Sequence, residues 1–275
     1  MRHSIRPLTT LQECRQVAAL EREVWSLADA EDVVPPHLLV VSIKRGGILL
    51  GAFDERADLK GFVYSIPAVR DGQLTHWSHL LGVAPDARGA GIGLELKRAQ
   101  RSYALQMGIQ LIEWTYDPLQ AANAHLNLSK LGAVASEYAE NVYGESSSPL
   151  HRGTPTDRLV AEWRIGEPHV ERRLAERGPV LLRDAGVAAA PVVNAARDAG
   201  RWLAPGDADL NATAPRLLLE IPTEFSEMQA SAPDLALAWR LHTREIFHRY
   251  FGAGYRAVDF FLSQESRRGQ YLLAR

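Results

Sequence analysis

An arginine and three glycines precede a helical pattern in the first half of the chain. Residues 88–93 read Arg-Gly-Ala-Gly-Ile-Gly, after an apolar run at 75–83 and before a helix predicted from about Leu94 to Gln106. Glycine lets the backbone approach a ligand without a Cβ in the way. The unpaired N–H groups of a first helical turn favour an anion, and Arg88 can add charge-assisted hydrogen bonds. The loop therefore predicts a pyrophosphate site.

The spacing within this loop separates it from two common phosphate-binding motifs. A Rossmann loop needs G-x-G-x-x-G after its strand, and a P-loop ends in Gly-Lys-Ser/Thr; neither pattern occurs here. Instead, Arg88-x-x-Gly91-x-Gly93, with Val83 at the preceding strand end, resembles the acetyl-CoA signature of the GCN5-related N-acetyltransferases. The alternative is a plain strand–turn–helix with a flexible loop.

The resemblance implies acetyl-CoA as the cofactor and a set of residues that contact it. In that family the pantetheine arm adds to a splayed strand like an extra strand, here through the backbone of residues 81–83. A second block, 123–133, looks like the family's helix that flanks the cofactor; its asparagines could bond pantetheine amides or be ordinary surface residues. The expected cofactor-binding residues are Leu81, Gly82, Val83, Arg88, Gly89, Ala90, Gly91, Ile92, Gly93, Asn123 and Asn127.

Acetyl transfer to an amine needs a base, since a free amine is mostly protonated near neutrality. His79 is the best candidate, because an imidazole accepts a proton near pH 7, and because relatives that acetylate arylalkylamines carry histidines on this strand. Strand alternation predicts that His79 and Trp77 share one face of the strand. It predicts that His76 lies on the opposite face. The alternative for His79 is a hydrogen-bonded core histidine.

The general acid is less well defined. The family often places a tyrosine in the second block to protonate the CoA thiolate, but this chain has Leu128 there. Tyr116 and Tyr143, with Tyr138, are substitutes by proximity, although each could simply pack. Glu113 and Asp117 are reserve bases on the strand that follows the long helix; Asp117 also fits a helix N-cap.

Composition is that of a globular protein. The chain has 275 residues, 46% hydrophobic and 23% charged, and a net charge of −2. This balance argues against nucleic-acid and membrane-surface binding, and we expect neither partner. Cys14 is the single cysteine, which is compatible with a cytoplasmic location. We expect no metal site, and a homodimer is left open.

The predicted fold class is α/β, of the acetyltransferase type: a mixed, mainly antiparallel sheet flanked by helices. The element order strand–helix–helix–three strands–helix–strand–helix–two strands covers residues 1–166, with the second-block helix at about 119–131. Residues 167–214 are expected to be a linker with short helices. Residues 215–275 should form a small strand–helix–strand–strand unit.

The resemblance of the loop to the family signature implies an acetyl-CoA-dependent N-acetyltransferase. The acceptor would be the amine of a small molecule, because Trp77 and Trp114 could give its pocket an aromatic wall. The resemblance implies direct transfer in a ternary complex. The alternative is a non-catalytic, CoA-binding regulatory or scaffold module of the same fold.

Overall fold

The computed structural model describes residues 3–27, 32–144, 154–175, 187 and 189–275. The chain divides into two compact units. The first comprises Met1–Trp114 and Arg164–Glu167, and the second comprises Thr115–Trp163 and Pro168–Arg275.

The first unit contains the strands and helices around the predicted phosphate loop. Its helices are α1 (Leu11–Trp25), α2 (Pro36–Ile43) and α3 (Ile92–Gln106). Thr10 and Glu13 form a capping box at the start of α1, which satisfies two otherwise unpaired N–H groups. The strands are β1 (Ser4–Pro7), β2 (Ile48–Phe53), β3 (Leu59–Arg70), β4 (Gln73–Val83) and β5 (Leu111–Tyr116).

Strands of the first unit follow the order β1-β2-β3-β4-β5, with the part of β5 up to Trp114 belonging to this unit. All neighbours are antiparallel except β4 and β5, which are parallel. One face carries a buried cluster in which Leu8, Cys14 and Leu20 pack with Phe62 and Tyr64. Cys14 is fully buried, so it is a core residue.

Two irregularities interrupt β4. Its register with β3 shifts between Ser65, opposite Ser78, and Tyr64, opposite Leu80, so His79 is the extra residue of a β-bulge. On the other edge, the parallel ladder with β5 contains His76–Ile112 and ends at Trp77–Glu113. Beyond that pair no ladder joins Ser78 to Trp114, the next residues of the two strands, and we call this point the β4–β5 fork.

The second unit begins with the last residues of β5 and a short helix. That helix, α4 (Ala121–Ala124), continues directly into a π-helix at His125–Lys130. Two strands follow, β6 (Val134–Ala139) and β7 (Arg158–Arg164, with Arg164 in the first unit). The remaining elements are α5 (Pro168–Ala175), the short strands β8 (Arg197–Ala199) and β9 (Trp202–Ala204), β10 (Arg216–Pro222), α6 (Phe225–Ser231), α7 (Pro233–Gly252), β11 (Arg256–Ser263) and β12 (Arg268–Ala274).

The second unit has its own sheet order, β7-β6-β11-β12-β10. Its outer strand, β10, is covered by the segment before it. Leu218 donates its N–H to the Pro191 carbonyl and accepts from the N–H of Val193. The amide of Asn194 exchanges two hydrogen bonds with the backbone of Glu220, at 2.7 and 2.9 Å. The outward-facing N–H and C=O groups of Leu218 and Glu220 are therefore satisfied.

Helix α7 packs through a stripe of basic side chains spaced four residues apart. Arg240 forms a two-pronged ion pair with Asp117, both distances 2.7 Å. Arg244 pairs in the same way with Asp157 at 2.8 and 2.9 Å. His248 lies 2.9 Å from Glu140. This stripe fixes α7 on segments that precede residue 163.

The predicted fold class is confirmed, because the strands form a mainly antiparallel sheet arrangement flanked by helices. Several details differ from the sequence prediction. The helix expected at 119–131 is α-helical for one turn and π-helical after it. The segment 167–214 contains two short strands besides a helix, and helix α6 was not predicted. Part of 167–214 lies outside the described residues.

The predicted domain boundaries, at 166 and 214, do not coincide with the limits of the two compact units. Strand β11 pairs with β6 at Ala257–Ala135, so the end of the chain extends the sheet that contains β6 and β7. Contacts of this kind place residues 115–163 in one unit with residues after 168. The predicted boundaries at 166 and 214 therefore stay a prediction.

Candidate functional site

The predicted phosphate loop is an exposed turn that enters α3. Gly89 and Gly91 have φ of +80° and +83°, and a Cβ at either position would meet no atom within 4 Å. Gly91 is the N-cap of α3 and has no side chain to cap the helix. In the described chain, the N–H groups of residues 91–94 donate to no other protein group. Four aligned donors at a helix start, with open space before them, suit an anion.

Arg88 joins this loop to two other elements. Its Nε lies 3.4 Å from the Val83 carbonyl at the end of β4, and its Nη2 lies 3.3 Å from the Val24 carbonyl in α1. The side chain is exposed. The guanidinium therefore holds the loop in place and also puts positive charge beside the N-terminus of α3.

Leu81, Gly82 and Val83 form the last part of β4, beyond the fork. They remain paired with β3, at Val63, Phe62 and Gly61 respectively. The ladder to β5 has already ended at Trp77. A Cβ at Gly82 would lie 2.8 Å from the Phe62 ring and 3.3 Å from Trp25. Gly82 is thus required by packing, while the neighbouring backbone leaves an edge that an extended ligand could join.

His79 is the bulge residue of β4, so the simple alternation predicted for this strand is wrong. Ser78 and Leu80 are successive partners along β3, and the extra residue between them reverses the faces. Trp77 therefore shares a face with Leu80 rather than with Leu81. His79 is exposed, and its ring centroid lies 6.1 Å from that of Tyr64, with the two rings nearly perpendicular. Desolvation by the surrounding protein lowers the pKa of His79 below its usual range.

His76 is fully buried on the strand before the fork. Its Nδ1 lies 3.0 Å from Ser65 Oγ, while its Nε2 has no hydrogen-bond partner among the described residues. Burial lowers the pKa of His76, so the ring is neutral near pH 7. These contacts are those of a core histidine.

The two reserve bases are both held in ion pairs. Glu113 is buried and lies 2.5 Å from Arg70 Nη1. Asp117 is bound by Arg240 and accepts the N–H of Leu119 at 2.8 Å. Burial raises the pKa of Asp117, but the Arg240 guanidinium outweighs that effect and holds the pKa below the usual range. Asp117 caps a turn, since the N-cap of α4 is Gln120.

The candidate acids occupy different environments within the second unit. Tyr116 is buried, and burial raises the pKa of its hydroxyl far above the usual range. Tyr138 is buried and donates to Asp157 at 2.7 Å, and burial likewise raises its pKa. Tyr143 is 55% exposed; its hydroxyl lies 3.4 Å from Thr115 Oγ1, and Arg158 lies over its ring at 5.1 Å. Tyr143 is the accessible hydroxyl of the three.

Asn123 and Asn127 differ in their exposure to solvent. Asn123 is exposed and Asn127 is 5% exposed. The reason is the switch to a π-helix at His125, whose i→i+5 bonding changes the angle between successive residues. Leu128, at the family's tyrosine position, is fully buried. Such π segments are frequent at functional sites.

A buried polar cluster at the fork was not predicted. Lys97, on α3, is 2% exposed. Its Nζ lies 3.1 Å from Ser78 Oγ and 2.8 Å from Gln100 Oε1, and 3.6 Å from the ring centroid of Trp114. Burial holds the pKa of this amine well below its usual range. The spacing of Leu96, Lys97, Gln100 and Ala104 could have revealed a buried polar face.

The described chain offers neither a metal-binding cluster nor a membrane-spanning helix. No group of three or more histidine, cysteine or acidic side chains in the described ranges is placed to hold a metal ion. Among the helices that the structure describes, none is both long enough and apolar enough to cross a membrane.

Comparison with solved structures gives many matches that span about 60% of the chain. A candidate phosphinothricin N-acetyltransferase is 16% identical, with a TM-score of 0.50, over 60% of this chain and 100% of that one. A candidate acetyltransferase from Salmonella typhimurium, solved with its cofactor acetyl-CoA, is 18% identical, with a TM-score of 0.48, over 61% of this chain and 96% of that one. The ribosomal-protein-S18-alanine N-acetyltransferase of Escherichia coli is 15% identical, with a TM-score of 0.48, over 60% of this chain and 94% of that one.

These likenesses concern the fold. At 16% identity and a TM-score of 0.50, the first structure shows that this chain has the fold of an N-acetyltransferase. The N-acetyltransferase fold that the sequence predicts is thereby confirmed. No protein-family model matches the chain, and no curated protein matches its sequence.

Proposed function

We propose that the protein is an acyltransferase that moves the acetyl group of acetyl-CoA to an amine of a small molecule. The observation that carries this proposal is the start of α3. Gly89 and Gly91 hold positive φ, and a Cβ at either position would meet open space. The N–H groups of residues 91–94 have no partner in the described chain. The residues present therefore fit a pyrophosphate, which the loop would hold with Arg88 beside it.

The β4–β5 fork supports the second half of a CoA site. Past Trp77, the edge of β4 that faces the fork has no ladder to β5. An extended pantetheine could pair with residues 81–83 there, as peptides add to an open strand edge. When bound, acetyl-CoA would supply an activated thioester at this fork.

His79 is the proposed base. Being the bulge residue, it leaves the regular ladder of β4 and is exposed. Its lowered pKa keeps the ring neutral at pH 7, which a proton acceptor requires. Its nitrogen could take the proton from the acceptor amine directly or through water. The backbone of the same strand could donate a hydrogen bond to the developing oxyanion.

The aromatic side chains at the fork favour an acceptor with an apolar part. Trp77 is half-buried at the last ladder pair, and Trp114 is buried at the next position of β5. Both residues also contribute to packing, so the size of the acceptor stays a proposal. Direct transfer in a ternary complex needs no nucleophile from the protein, and buried Cys14 fits that requirement.

The second candidate function is a CoA-binding module without chemistry. Leu128, fully buried at the position where the family often has a tyrosine, favours it. Two measurements on the full chain decide between the functions. Calorimetry with CoA tests the site, and consumption of acetyl-CoA thioester is then followed with aromatic amines, aliphatic diamines, amino acids and peptide N-termini.

An amine-dependent loss of thioester would establish transfer. CoA binding with no acceptor-dependent consumption would favour the module. An absence of CoA binding would refute both functions. Arg88→Ala is the site variant, and Arg45→Ala, in the turn after α2, is its control, because it removes the same charge away from the loop.

A further inference from the structure

The fork contains a buried amine at the point where the two strands part. Ser78 is the first residue of β4 after the last ladder pair, and Trp114 is the first residue of β5 after it. Lys97 Nζ contacts both, at 3.1 Å from Ser78 Oγ and 3.6 Å from the Trp114 ring centroid. The amine therefore lies at the base of the fork, beneath the edge along which a pantetheine would extend.

The geometry of the cluster is that of a proton-transfer pair. Gln100 Oε1 accepts from Lys97 Nζ at 2.8 Å, and Gln100 Nε2 lies 3.1 Å from Ser78 Oγ. Gln100 thus fixes both partners, and all three are buried. A serine hydroxyl can donate one proton while accepting another. The titratable group on the same face of β4 is His76, whose Nδ1 is turned to Ser65.

We propose that Ser78 and Lys97 supply the proton taken up by the departing sulfur of CoA. This inference rests on the proposed acyltransferase function. Ser78 Oγ gives its proton to the sulfur as the carbon–sulfur bond breaks, and takes one from the Lys97 ammonium. Lys97 becomes a neutral amine, and solvent restores its proton after release. The pair would fill the role left open by Leu128.

The acidity of Lys97 is suited to this step. An ordinary lysine has a pKa of about 10.4, roughly two units above a cysteine thiol at about 8.5. Burial lowers the pKa of Lys97 well below the usual lysine range, in the direction of the pKa of a thiol. Proton transfer is most effective when the two pKa values are near each other and near the working pH.

A binding measurement tests the pair without turnover. The thiol of bound CoA is titrated by the ultraviolet absorbance of its thiolate, in the parent and in Lys97→Met, which keeps the chain length but removes the amine. A nearby cation stabilises a thiolate, so the bound thiol should have a lower pKa in the parent. We expect Lys97→Met to raise it by about one unit, a tenfold loss of thiolate at a given pH.

Turnover supplies the second readout. Lys97→Met and Ser78→Ala should each lower turnover about 10²-fold or more, the low end of the range for general acids, with CoA affinity nearly unchanged. In the parent, turnover should fall at high pH as Lys97 loses its proton. This fall should disappear in Lys97→Met. Lys44→Met, one of three other lysines in the chain and exposed in the turn after α2, is the matched control and should behave as the parent.

Each outcome decides something. Unchanged thiol titration and parent turnover in a folded Lys97→Met would overturn the proposal. If that variant does not fold, Ser78→Ala and ¹⁵N-lysine NMR of the parent replace it: Lys97 should titrate below the other three lysines, and thiolate formation on bound CoA should raise its pKa. A pKa of Lys97 that does not change when the thiol of bound CoA ionises would overturn the proposal. A parent that does not bind CoA would instead refute the proposed function itself.

Discussion

Gly91→Ala is the sharpest perturbation of the proposed cofactor loop. Gly91 has a φ of +83° at the N-cap of α3, and its missing Cβ would lie in open space. Alanine therefore fits without a clash in the free protein, but an L-residue in this conformation costs about 1–2 kcal/mol. In the bound state the new methyl group would occupy the space where a pyrophosphate must approach the N–H groups of 91–94.

Two quantities should change in Gly91→Ala. The free energy of unfolding should fall by about 1–2 kcal/mol from backbone strain alone. CoA affinity should fall about tenfold or more, because one weakened hydrogen bond to a charged group is enough to lose about 1.4 kcal/mol. Urea denaturation measures the first quantity, and calorimetry with CoA measures the second.

Gly72→Ala provides a control with the same strain at another place. Gly72 has a φ of +75° in the turn between β3 and β4, and an added Cβ would again have no atom within 4 Å. It should lose the same stability and keep its CoA affinity. Equal affinities in the two variants would refute the assignment of the loop, because strain would then be the only effect of the Gly91 substitution.

Three further predictions concern other elements. His79→Gln should lower turnover by about 10²–10³-fold and remove an acidic limb that lies below the usual histidine pKa; a variant that kept the parent's rate and limb would exclude His79 as the base. Glu21 is buried, and burial raises its pKa from 4.5 to about 7. The folded state therefore binds the Glu21 proton more tightly than the unfolded state, and the free energy of unfolding should fall by up to about 3 kcal/mol as pH rises from about 4.5 to 7. Urea midpoints of Glu21→Gln that depend on pH as strongly as those of the parent would contradict this. Arg240→Met should cost about 3–5 kcal/mol, because it strands the Asp117 carboxylate; a double-mutant cycle with Asp117→Asn measures the coupling, and additive effects would show that the pair contributes none.

The loop and the order of elements were accessible from the sequence because each rests on local signals. Glycines at positive φ, a capping box and apolar runs are all encoded within a few residues. The bulge at His79 was not accessible, because it is defined by which residues of β3 stand opposite Ser78 and Leu80. A strict period of two therefore assigned the face of Trp77 wrongly.

Lys97 escaped prediction for a different reason. A lysine in a helix is normally a surface residue, and a helical pattern alone does not say which face of the helix is buried. Lys97 and Gln100 fall on the face of Leu96 and Ala104, a pattern visible in the sequence. That their polar atoms meet Ser78 and Trp114 depends on the packing of α3 on two strands, which only the structure provides.

The covering of β10 has a consequence for how the protein behaves in solution. An exposed outer strand with free N–H and C=O groups is a template for pairing with another chain, and so for aggregation. Here Pro191, Val193 and the Asn194 side chain use those groups at Leu218 and Glu220. Asn194→Leu would free one donor and one acceptor of Glu220 at this edge. The variant should therefore aggregate at concentrations where the parent remains dispersed, even if its folded core is intact.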